Sequence, residues 1–129
     1  MRALLDTSVI IAERPPLDVE AAISVVTITE LTFGLLLPMD ADERARRADR
    51  LAATEASFDP IPISLEVVRA WGRLASVVVA RGGAPRRRQL DLAIAATAQI
   101  ERVPLLTENV ADFRLVADLV DVRAPRYGH

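Results

Sequence analysis

Arg2-Ala3-Leu4-Leu5-Asp6-Thr7-Ser8-Val9-Ile10-Ile11 is the stretch on which the reading of the chain turns. An apolar run, Ala3 to Leu5, stops at a carboxylate; two hydroxyl residues follow, then an apolar triplet. The pattern predicts a buried parallel strand that carries Asp6 to its carboxyl end and turns directly into a helix capped by Thr7 or Ser8. Open α/β sheets bind ligands outside the carboxyl ends of their strands. Asp6 therefore stands where such folds do chemistry, provided other segments bring it partners.

Outward from that strand, helices and short strands alternate. A short helix over 7–13 is ended by Arg14-Pro15-Pro16, because proline lacks the amide hydrogen and restricts its predecessor. Residues 17–23 read as a loop or a single helical turn, and 24–26 as a β-branched strand. Thr27-Ile28-Thr29-Glu30 has the spacing of a capping box, opening a helix that runs towards Pro38. Residues 40–57 form a surface helix with Arg44, Arg46, Arg47, Arg50 and acids on its polar face. Pro60 and Pro62 leave 58–63 extended but not a central strand. Ser64 caps a helix from 65 to about 81, closed by Gly82-Gly83. A basic loop over 84–88 precedes an alanine-rich helix over 89–102. Residues 103–107 read as a strand, 109–119 as a last helix, 120–122 as a last strand and 123–129 as a tail. The order β-α-β-α-α-β-α-α-β-α-β predicts a parallel sheet with right-handed crossovers and helices on both faces.

Bulk properties narrow the function. The 129 residues suit one domain, and 51% hydrophobic with 26% charged residues fits a globular chain. There is no cysteine, which excludes disulfides and thiolate metal sites and fits a reducing cytoplasm. All 16 basic residues are Arg. The net charge of −2 rules out an overall basic clamp, so nucleic-acid binding needs a local patch. No secretory signal and no membrane-length apolar run is visible.

Three further acids share the setting of Asp6. Glu30 and Asp91 lie in the first turns of helices, and Asp91 shares a face with Ile94, Ala95 and Ala98. Asp112 follows the strand ending at Thr107. Each has an ordinary explanation: Glu30 as part of a cap, Asp91 and Asp112 as charges suited to helix starts, an effect of about 0.3–1 kcal/mol each. Together on one sheet edge, four carboxylates repel and raise one another's pKa values unless a cation joins them. Oxygen ligands without His or Cys select Mg²⁺ or Mn²⁺ over Zn²⁺. One or two such ions lower the pKa of a water, orient a phosphodiester and stabilise in-line displacement. The only His is His129, at the frayed end, and no glycine-rich phosphate loop exists. Arg86, Arg87 and Arg88 run into the Asp91 helix and are an expected contact for an RNA backbone.

These segments carry a resemblance. Leu4-Leu5-Asp6-Thr7-Ser8, Thr27-Ile28-Thr29-Glu30-Leu31 with Gly34, Asp91-Leu92-Ala93-Ile94-Ala95-Ala96-Thr97-Ala98 and Thr107-Glu108-Asn109-Val110-Ala111-Asp112-Phe113 together resemble a PIN-domain ribonuclease of the VapC toxin type. The resemblance implies a three-layer α/β/α sandwich with a short, mainly parallel central sheet. It also implies Mg²⁺- or Mn²⁺-dependent endonucleolytic cleavage of RNA. The family's acidic quartet falls on Asp6, Glu30, Asp91 and Asp112, as catalytic and metal-binding residues. Thr7, Ser8, Thr107 and Asn109 fall on accessory polar positions, Asn109 standing where many relatives have Asp. The family further implies a homodimer held by a VapB-type antitoxin, for which 17–37 and 40–57 are the expected contact regions. Two other classes were weighed. An aspartyl-phosphate phosphatase needs a second acid where Ser8 stands, and a Lys, which the chain lacks. A catalytically inactive PIN-fold binding module would have no use for an intact quartet.

Overall fold

The computed structural model describes residues 1–128; the expectation for His129 lies outside them. Four strands form one parallel sheet in the order β2-β1-β3-β4: β1 Arg2–Leu5, β2 Glu20–Ala22, β3 Leu105–Leu106 and β4 Val122–Arg123. The helices are α1 Thr7–Ile11, α2 Val25–Leu36, α3 Ala41–Ser57, α4 Leu65–Ala80 and α5 Gln89–Glu101. Two 3₁₀ segments, Pro85–Arg88 and Val110–Val116, complete the chain.

Strand alternation splits β1 between two apolar layers. Leu4 packs with Leu105 and the buried faces of α4 and α5, while Ala3 and Leu5 pack with Leu106, Val9 and Ile23 on the other side. In α5 seven consecutive residues, Leu92 to Ala98, are buried, so the helix is enclosed on all sides. Its alanines let α4 and the sheet approach closely, and Ile94 is the one large side chain among them with no exposure. Gly83 is needed where the chain leaves α4. A Cβ there would meet Leu115 at 2.6 Å and Val78 at 2.7 Å.

Several boundaries differ from the sequence reading. The second strand is Glu20–Ala22, inside the expected loop, and not 24–26. Ser24 is the N-cap of α2, accepting from the Val26 amide at 3.0 Å, so Thr27 to Glu30 is not a capping box. β-Branched Val25 and Val26 mimic a strand, yet they are the first residues of the helix. The cap of α1 is Asp6, whose side chain makes no capping bond; Thr7 and Ser8 are already helical. Segment 58–63 touches the sheet through a single bridge, Ser24 to Ile61, its flanking prolines forbidding more. The segment 109–119 is not an α-helix but a 3₁₀ turn anchored by Phe113 and Val116. The last strand starts at Val122; Val120 belongs to the core instead. The cap at Ser64 and the stop at Gly82, with φ +83°, stand as read, and Asp40, expected inside the helix, is instead the N-cap of α3. The tail folds back: the Leu17 amide donates to the Arg126 carbonyl at 2.7 Å, and Arg14 lies 4.3 Å above the Tyr127 ring. Among the described residues no helix is long and apolar enough to cross a membrane.

Candidate active site

Asp6 is fixed from both sides of the seam between β1 and β3. Its amide donates to the Leu106 carbonyl at 2.9 Å, and the residue is 5% exposed. Ser8 Oγ donates to Asp6 Oδ2 at 2.7 Å, and Thr107 Oγ1 donates to the same oxygen at 2.9 Å. The two hydroxyls are themselves held by the backbone: Ser8 Oγ accepts from the Glu108 amide and Thr107 Oγ1 from the Asn109 amide, each at 3.0 Å. Among the described residues Oδ1 of Asp6 has no hydrogen-bond donor, so one oxygen stays available to a ligand.

Glu30 is held by the same device. Thr7 Oγ1 donates to Glu30 Oε1 at 2.6 Å and lies 3.0 Å from Thr27 Oγ1. An ionised Glu30 takes the Thr7 proton, so Thr27 donates to Thr7. The sequence reading used Thr27 as a cap; it is instead a fully buried link in a hydroxyl chain behind Glu30. Hydroxyls at 7, 8, 27 and 107, all beside acids, were the signal that could have revealed the clamp. Thr7 and Ser8 both lie against the acids, on Glu30 and Asp6 respectively. Asn109 contributes only its backbone: the amide to Thr107, and the carbonyl to the Asp112 amide at 2.9 Å.

Asp91 opens α5 and Asp112 lies in the 3₁₀ turn after β3. One Arg88 nitrogen lies 2.8 Å from Asp112 Oδ2 and 3.5 Å from Asp91 Oδ2. Arg88 therefore faces the carboxylates, not a free backbone-binding surface. Arg86 and Arg87 are exposed and make no ion pair among the described residues.

The four acids form one electrostatic unit. Burial raises the Glu30 pKa above its ordinary value; the Thr7 hydrogen bond opposes this, and the charges of Asp6 and Asp91 add to it. Burial and Asp6 raise that of Asp91, Arg88 opposes them, and Asp112 adds a further upward push. A carboxylate placed only to complement a helix start would show the opposite direction. Among the described residues no three acids stand close enough to grip a single ion as they are placed. The donor chemistry nevertheless fits a hard divalent cation: carboxylate oxygens only, repelling one another, with a cationic side chain already drawn in.

A raised carboxylate pKa favours folding fully below its unfolded value, and that stability is lost as pH rises through the folded value. In metal-free protein, Glu30→Gln removes this penalty while keeping an acceptor for Thr7. The variant is expected to gain stability over wild type at pH 7 and to match it at about pH 3, below the ordinary carboxylate range. Thermal midpoints of both proteins across that range check the sign.

Comparisons with known proteins give the family. The PIN domain family model matches residues 3–119, and the chain belongs to the PIN domain family. Within it the chain sits with the VapC proteins. It is 42% identical over 103 residues to Ribonuclease VapC8 of Mycobacterium tuberculosis, covering 76% of this chain and 91% of that protein. To Ribonuclease VapC5 of the same species it is 34% identical over 113 residues, covering 82% of each. A crystal structure of VapBC-5 from M. tuberculosis, a member of the VapBC family of toxin–antitoxin systems, superposes with TM-score 0.81 at 32% identity. It covers 97% of this chain and 98% of that one. FitAcB of Neisseria gonorrhoeae shares the fold with TM-score 0.74 at 23% identity, over 95% and 97% of the two chains.

Proposed function

We propose that the protein is the ribonuclease toxin of a VapBC-type toxin–antitoxin pair, cleaving RNA phosphodiesters in the cytoplasm with Mg²⁺ or Mn²⁺. The observation that carries this is the meeting of Asp6, Glu30, Asp91 and Asp112, from four separate elements, at one end of the sheet. Relatives named ribonucleases and a neighbour solved as a toxin–antitoxin complex support it.

Asp6 with its free oxygen, Asp91 and Asp112 would hold the cation, with Glu30 completing the set directly or through water. A divalent ion held there supplies charge stabilisation at the phosphate and lowers the pKa of the attacking water. Ser8 and Thr107 hold Asp6 in one orientation through their hydrogen bonds to Oδ2. Thr7, backed by Thr27, does the same for Glu30. Arg86 and Arg87, exposed in the turn before α5, would meet the RNA backbone. Phe33 at 66% exposure and Leu36 at 76%, on α2 beside the arginine-rich α3, suit an antitoxin contact. As in the wider reading, the toxin would act as a homodimer.

The test is incubation of purified, antitoxin-free protein with structured RNA. Cleavage is expected in Mg²⁺ or Mn²⁺ and none in excess EDTA, with activity restored on adding the metal back. Cleavage unaffected by EDTA would exclude the metal-dependent reading. No product under any condition, with metal binding absent, would leave a PIN-fold binding module.

A further inference from the structure

Arg88 occupies a position that local physics disfavours. It is the N-cap of α5 and makes no side-chain capping bond. Ser, Thr, Asp and Asn supply such bonds; arginine has no acceptor. Its positive charge also sits at the positive end of the helix dipole. Two contacts offset both costs: one guanidinium nitrogen reaches Asp112 at 2.8 Å and Asp91 at 3.5 Å. Two members of the quartet are thus engaged by a cation from within the chain, and no three acids close on a common point. The Arg88 side chain is 50% exposed, so it can leave without opening the core.

We propose that Arg88 is an internal stand-in for the divalent cation. Its guanidinium holds Asp91 and Asp112 in the metal-free protein and must withdraw before the carboxylates draw together on a metal. This rests on the metal-dependent reading given above. Metal affinity is then set by competition inside the chain, and the cationic residue relieves the repulsion among the acids while no ion is bound. Once displaced, Arg88 lies beside Arg86 and Arg87 at the rim of the site, where a phosphodiester would arrive.

The test is Mn²⁺ titration by calorimetry on the full chain, stripped of metal, in wild type, Arg88→Gln, Arg88→Met and Arg86→Gln. Met keeps the aliphatic stem without the charge and guards against a packing effect. Both Arg88 variants are expected to bind Mn²⁺ about 3- to 10-fold more tightly, the range set by losing two partly exposed ion pairs. Mn²⁺ should also raise their thermal midpoints more than that of wild type. Arg86→Gln removes the same charge from the same turn without touching the acids, so its affinity should stay within about twofold of wild type. Arg88 variants that bind no tighter than a metal-binding wild type overturn the inference and leave the metal-dependent reading standing. Equal tightening in Arg86→Gln overturns it as well, since bulk charge then explains the effect. Absence of Mn²⁺ binding in every protein, wild type included, overturns both.

Discussion

Asp6→Asn is expected to lower RNA cleavage in Mg²⁺ by about 1000-fold or more while leaving the fold intact. A cation contributes several kcal/mol of charge stabilisation to phosphoryl chemistry, and about 1.4 kcal/mol is a factor of ten in rate. Asp6 is the acid most firmly placed to hold that cation, buried and clamped by Ser8 and Thr107 through a single oxygen. The amide oxygen of Asn accepts both hydroxyls as Oδ2 does. Its NH₂ group then takes the place of Oδ1 and turns a cation ligand into a donor. Stability should hold or rise slightly, because the Asp6 charge pushes up the pKa values of both Glu30 and Asp91. Asp6→Ala is the poorer experiment: it strips the acceptor from a fully buried Thr107 hydroxyl, a cost of about 1–3 kcal/mol that blurs the result. Cleavage rates with circular dichroism on the same samples decide it. Wild-type cleavage by a folded Asp6→Asn protein would remove Asp6 from the mechanism.

Ile94→Ala is expected to cost about 2–5 kcal/mol of folding stability, towards the upper part of that range. Ile94 has no exposure, and its neighbours Ala93, Ala95 and Ala96 have no reach to refill the space. The loss compares with a total of about 5–15 kcal/mol for a domain of ordinary stability. Urea unfolding should show a lower midpoint with an unchanged slope. Val68→Ala, at 48% exposure on α4, is the control and should stay within about 0.5 kcal/mol. A midpoint for Ile94→Ala equal to that of the control would contradict the enclosed position of α5.

The sequence carried the site better than it carried the elements around it. Asp6, Glu30, Asp91 and Asp112 were legible as candidates because, though each alone had an ordinary explanation, all four fell on one expected sheet edge, and the fold does bring them within electrostatic reach of one another. Ser64 and Gly82 were legible because capping and left-handed turns are local. What failed depended on tertiary pairing. Glu20–Ala22 has no β-branched pattern and is a strand only because β1 offers it a partner. Val25 and Val26 have strand-like side chains but follow a serine that caps a helix. The grip of Arg88 on Asp112 joins residues that only the fold brings together, so all three arginines of the run read alike as a contact for an RNA backbone.

The hydrogen bond from Thr107 to Asp6 joins residues 101 positions apart. Its consequence concerns synthesis. A chain still emerging from the ribosome has Asp6 exposed long before the segment that orients it has been made. Because β3 must also insert beside β1, this is a late, non-local step, the kind that slows folding. Nascent and truncated chains ending before Leu105 lack the hydroxyl, the Asp112 carboxylate and the strand that seats them. The acidic cluster therefore cannot assemble until nearly the whole length of the chain has been translated.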